Sequence, residues 1–126
     1  MIDHVTLTVS DIEKAKEFYK AALAPLGYKI LTDYPEWKLV GMGAGESSDV
    51  WVYAGEGSKQ PMHIAFVAKN KEEVDAFYKE ALAVGGADNG APGYRKNYTP
   101  GYYAAFVHDA DKNNIEVVYH DPNPTE

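Results

Sequence analysis

Val5, Leu7 and Val9 are separated by threonines, the period-two pattern of a strand buried on one face. The period then lengthens: Ile12, Ala15, Phe18, Tyr19, Ala22 and Leu23 recur at helical spacing and form one apolar stripe. Ser10-Asp11 supplies N-cap chemistry, with Glu13 three residues after Ser10 at capping-box spacing, and Pro25 with Gly27 ends the helix. Three short strands are predicted next, over residues 28–34, 37–42 and 50–53, with Pro35-Glu36 and residues 43–48 as turns.

After a Gly/Ser/Lys/Pro-rich break at 55–61, read as a linker, the same order returns. A strand is predicted over 62–67 and a helix near 71–84, whose Val74, Phe77, Tyr78, Ala81 and Leu82 repeat at helical spacing until Gly85-Gly86. Residues 88–100 are rich in Gly, Asn and Pro and read as a lengthened loop, a usual place for substrate selectivity. Strands over 102–107 and 115–119, joined by a turn, close the chain. The two halves match residue by residue at an offset of 59: His4 falls on His63, Phe18-Tyr19-Lys20 on Phe77-Tyr78-Lys79, Leu23 on Leu82 and Gly27 on Gly86. Agreement through a whole strand-helix unit marks an internal repeat with a histidine at the head of each copy. The expected organisation is one domain over 1–126, made of modules 1–54 and 62–120.

Composition narrows the chemistry. A chain of 126 residues fits one domain, and each half alone would be marginal. A formal charge of −7 with scattered basic residues argues against a nucleic-acid or anionic-membrane partner. Without cysteine there is no disulfide, thiolate zinc site or Cys nucleophile. No secretory signal or membrane-spanning apolar run is read, so a cytoplasmic protein is expected.

The paired strand-helix modules, the histidine opening each, and the stretch from Gly101-Tyr102-Tyr103-Ala104-Ala105-Phe106-Val107 to Asp111-Lys112-Asn113-Asn114-Ile115-Glu116 resemble the vicinal oxygen chelate superfamily. That group includes glyoxalase I, extradiol dioxygenases and the fosfomycin and bleomycin resistance proteins. Its closing turn and strand commonly read Asp-Pro-Asp-Gly-Asn-Xaa-Ile-Glu; here Ala110 and Lys112 replace the Pro and the Gly. The resemblance implies an α+β fold of two tandem βαβββ modules forming a curved, half-open β-barrel. It also implies His4, His63 and Glu116 as ligands of a divalent metal ion, whether Fe, Mn, Zn or Ni. A fourth ligand would stand on the last strand of the first module. Matching Tyr53 with Tyr119 puts Val50 there, and Asp49, one residue away, reaches the site only through a bulge or a different register.

A His, His, Glu set leaves open positions for a substrate with two neighbouring oxygens. Each ligand also has a plainer reading: a histidine can cap the start of a strand, and periodicity alone lets Glu116 face solvent. His108 and His120 read as surface residues. Tyrosines cluster around the long loop, where Tyr98 or Tyr103 is a candidate to assist proton transfer, and Arg95 and Lys96 could meet an anionic substrate. Trp37 and Trp51 either line a cavity or pack in the core. The expected function is a metal-dependent lyase, isomerase or dioxygenase acting on a small substrate. The alternative is a metal-free dimer of the bleomycin-resistance type that sequesters an aromatic ligand. In either case a homodimer is expected, and if modules pair across it, His4 of one chain shares a site with His63 and Glu116 of the other.

Overall fold

The computed structural model describes residues 1–55 and 60–125. Residues 56–59, most of the expected linker at 55–61, lie outside the described residues. The fold is α+β, with two mixed sheets. Strands β1 (Val5–Val9), β2 (Lys29–Tyr34), β3 (Leu39–Gly43) and β4 (Val50–Ala54) form the first, in the order β1-β4-β3-β2. In the second, β5 (His63–Val67) pairs with β9 (Asn114–His120), which pairs with β8 (Tyr102–His108). Two short strands, β6 (Ala87–Asp88) and β7 (Gly93–Tyr94), both pair with β8. The long loop is therefore pinned to the sheet at two points rather than free over 88–100. In both sheets the first strand runs parallel to the last and forms an edge.

Helices α1 (Ile12–Leu23) and α2 (Lys71–Ala83) pack on each other and share one core with the inner faces of both sheets. Leu7, Val9, Val50, Val52, Phe66, Ile115 and Val117 meet Phe18, Tyr19, Leu23, Val74 and Phe77 there. The cap of α1 is Asp11, whose carboxylate accepts the backbone N–H groups of Glu13 and Lys14. Ser10, at the capping-box position, instead gives its backbone N–H and its hydroxyl to Asp111 of the β8–β9 turn. The strand expected from Trp37 starts at Leu39, because Pro35–Trp37 closes a 3₁₀ turn and Lys38 takes a left-handed φ of 51°.

At the end of α2 the left-handed position is Gly85, with φ of 97°. The repeat-matched Gly86 answers to space instead: a Cβ there would stand 2.5 Å from Val107 and 2.8 Å from Phe18. The β8–β9 turn is organised around buried Asp109, which accepts the N–H groups of Asp111 and Asn113, the Asn113 amide and the Tyr19 hydroxyl. Asn113 then joins the modules, its amide nitrogen 3.5 Å from the Thr8 carbonyl and its amide oxygen accepting the Met62 N–H. The tail of β1 and the head of β5 meet at this residue.

Candidate metal centre

Strand alternation sorts β8 and β9 into two faces. Ala105, Val107, Ile115 and Val117 turn toward the helices, whereas Ala104, Phe106 and Val118 form a separate apolar cluster on the open face. Glu116 shares the parity of Val118 and is only 2 % exposed. An acidic side chain so placed costs several kcal/mol unless it is paired. One oxygen lies 2.8 Å from His63 Nε2, and the other accepts the Tyr102 hydroxyl. His63 opposes Asn114 and Phe106 opposes Glu116 in the ladder, so the imidazole and the Phe106 ring, 6.4 Å apart, flank the carboxyl group. Burial first, and then the hydrogen bond to Glu116, push the Tyr102 hydroxyl up to about 12, while Arg95 pulls the other way.

The structure thus brings together His63 and Glu116. His4 stands apart, exposed just before β1, with Nδ1 2.7 Å from the Asp3 carboxylate. Thr8 is the β1 residue that meets the β9 start, and His4 lies four residues back along extended chain, about 13 Å. Among the described residues of a single chain, no three His, Asp or Glu side chains converge to hold a metal ion. The donor types nevertheless fit one: imidazole and carboxylate suit Fe, Mn, Zn and Ni, and Asp3 on Nδ1 leaves Nε2 of His4 as the donor.

The fourth position differs from the one read by matching tyrosines. Thr6 pairs with Trp51, and the repeat-matched Ala65 pairs with Glu116, so the counterpart of Glu116 is Trp51 and not Val50. Its indole lies over Gly41, where a Cβ would stand 2.7 Å from the ring. Asp49 spends its carboxylate on the Tyr28 hydroxyl at 3.0 Å. Val50 is buried in the core.

The tyrosines also sort by face. Tyr103 turns toward the helices and donates to Asp75 of α2, away from Glu116. Tyr98 is 54 % exposed and packs edge-on against Tyr102, with centroids 4.9 Å apart, at the rim of the open face. The residue touching Glu116 is Tyr102, which alternation with Phe106 signals once the β8–β9 register is known. His120 is exposed and lies against Tyr102, whereas His108 is half-buried at the end of β8. Trp37 is 60 % exposed and packs against Tyr34 of the first sheet. A cavity of about 490 Å³ opens elsewhere, between α1, Val84 and the β8–β9 turn, and none of His4, His63 or Glu116 lines it.

Known proteins resemble the chain over nearly its whole length. The Bacillus subtilis (strain 168) protein YqjT is 28 % identical over 136 residues, spanning 91 % of this chain and 95 % of that one. The crystal structure of a glyoxalase/bleomycin resistance protein from Albidiferax ferrireducens T118 superposes with a TM-score of 0.80 at 25 % identity, covering 93 % and 97 %. A genomically encoded fosfomycin resistance protein from Listeria monocytogenes, complexed with Mn(II) and a dihydroxypropylphosphonic acid, shares the fold. Its TM-score is 0.70 at 20 % identity, covering 94 % of this chain and 88 % of that one. The profile of one superfamily matches residues 1–117, and the chain accordingly belongs to the Glyoxalase/Bleomycin resistance protein/Dioxygenase superfamily.

Proposed function

We propose that the protein is a metal-dependent enzyme acting on a small substrate with two neighbouring oxygens, as a lyase, isomerase or dioxygenase. Its site would be built across a homodimer from His4 of one subunit and His63 and Glu116 of the other. The observation that carries this reading is Glu116, a carboxyl group 2 % exposed in an apolar patch and flanked by an imidazole nitrogen at 2.8 Å. The edge strands support the dimer. β1 and β5, each headed by one of the histidines, end their sheets with no strand alongside among the described residues. Open edges invite pairing, and Val67 on β5 and Ile2 ahead of β1 are 72 % and 80 % exposed. A two-fold dimer setting β1 of each chain against β5 of its partner would cover both edges and bring His4 to the partner's site.

A bound divalent ion supplies Lewis acidity, drawing in the substrate oxygens and stabilising the negative charge that develops. Tyr102 holds the second oxygen of Glu116 and fixes its rotamer. Tyr98, at the rim, is the residue we assign to proton transfer; Tyr103, bonded to Asp75, serves the packing of α2 on β8. One observation favours the second reading, a metal-free binding protein: Trp51 stands where a fourth ligand would and offers an aromatic wall.

Metal analysis on chelator-free protein separates the two. Wild type is expected to carry metal, and His4→Ala and His63→Ala dimers to lose it. A hybrid dimer of the two variants recovers one intact site, hence one ion per dimer. No metal in wild type after reconstitution with Fe(II), Mn(II), Zn(II) or Ni(II) would overturn the metalloenzyme reading. An empty hybrid beside a loaded wild type would overturn the shared site alone.

A further inference from the structure

Arg95 directly follows β7 and points to the open face, whereas its neighbour Tyr94 packs on Tyr103 and Lys71 on the helix side. Its guanidinium lies 5.2 Å from the centroid of the Phe106 ring. Nη1 donates to the Gly93 carbonyl at 2.9 Å and Nη2 to the Ala91 carbonyl at 2.8 Å. Among the described residues no carboxylate pairs with it, although the chain carries nineteen acidic residues against twelve basic ones. The acids of the flanking segments are engaged elsewhere: Asp88 accepts the Gly90 N–H, and Asp121 accepts the Tyr94 hydroxyl and the Asn123 N–H.

A guanidinium has five N–H donors in a planar fork, and two held on backbone carbonyls orient the rest at little further entropic cost. The group is half-buried over an aromatic ring, where its field is less screened than in bulk water. Phe106 also touches the His63 side of the patch, and the separations of 5.2 and 6.4 Å bound the reach from guanidinium to imidazole at about 12 Å. Because Phe106 opposes Glu116 in the ladder, the guanidinium over its ring lies on the same face as Glu116.

We propose that Arg95 is the specificity-determining residue of this site and seats an anionic group, a carboxylate or phosphonate, at the end of the substrate away from its neighbouring oxygens. This rests on the open face of the second sheet being the reacting site. Phe106 and Tyr102 form the floor between the two ends, so a short anionic molecule spans from the Arg95 fork to the His63–Glu116 pair. Among the described residues Lys96, exposed beside it, has no such tether.

Calorimetric titration of the purified protein with benzoate and phenylphosphonate, against the uncharged benzyl alcohol and benzamide, tests the assignment. Wild type should bind the anions tighter by on the order of tenfold or more, the range expected of a charged hydrogen-bonded pair. Arg95→Gln should abolish that preference, Arg95→Lys should keep part of it, and Lys96→Gln should leave it unchanged. Equal binding of anions and neutral analogues by wild type, or a preference that survives in Arg95→Gln, would overturn the proposal. Circular dichroism confirms that each variant is folded, and metal content is read on the same samples. Anion preference without metal upholds Arg95 and removes the metalloenzyme reading, while metal without anion preference does the reverse.

Discussion

At Glu116 a carboxyl group is set into an apolar patch, with an exposed imidazole against one oxygen and a phenol donating to the other. The phenols of Tyr19, Tyr28, Tyr102 and Tyr103 are all raised, by burial first and then by the carboxylates they bond. A raised phenol means that the folded chain holds protons the unfolded chain has released. Its stability is therefore whole below the ordinary value of 10 and falls as pH climbs from 10 through about 12 for Tyr102 and Tyr103. Absorbance at 295 nm during alkaline titration should show these phenols ionising late, and Tyr102→Phe should remove one late step. An unchanged profile in that variant would contradict the Tyr102–Glu116 bond. The two histidines were legible in the sequence because the repeat displayed them twice. Tyr102 and Trp51 were not, because the face of a residue near a turn depends on the ladder register, and a one-residue slip exchanges Tyr102 with Tyr103 and Val50 with Trp51.

Among the elements, the β8–β9 turn carries the clearest local strain. Lys112 sits at φ of 68°, the left-handed region, at the position where the superfamily pattern read from the sequence has glycine. That conformation costs a side-chain-bearing residue about 1–2 kcal/mol, offset in part by the greater unfolded-state freedom of glycine. Lys112→Gly should therefore stabilise the chain by about 0.5–1 kcal/mol in urea denaturation; a loss of stability would mean the Lys112 side chain makes a contact worth more than the strain. Helices and long strands followed from periodicity because each buries one face. The cap of α1 did not: Ser10 and Asp11 offer the same chemistry, and the choice fell to Asp111, which is remote in sequence and claims Ser10. The short strands β6 and β7 were likewise read as loop, since two residues have no period and only their pairing with β8 defines them.

For the whole molecule, the proposed site shared between subunits would tie metal binding to association. Dilution through the dimer dissociation range should release metal and lower the melting temperature together, as mass action requires. Sedimentation and metal retention measured on the same dilution series check this, and metal retained by monomers would contradict the shared site. Within one chain the helices pack together and Asn113 ties the tail of β1 to the head of β5, so the two histidines at repeat-equivalent positions end up apart. The sequence by itself determined the α+β class and the duplicated strand-helix units, which are written in periodicity and in a repeat that needs no knowledge of packing, and its modules and closing turn and strand carried the resemblance to the superfamily. Only the tertiary structure decided that Glu116 is buried against His63 and Tyr102, that Trp51 is its counterpart, and that His4 lies elsewhere in the chain. Those outcomes depend on strand register and on which edges are left open, quantities set by contacts between residues far apart in the sequence.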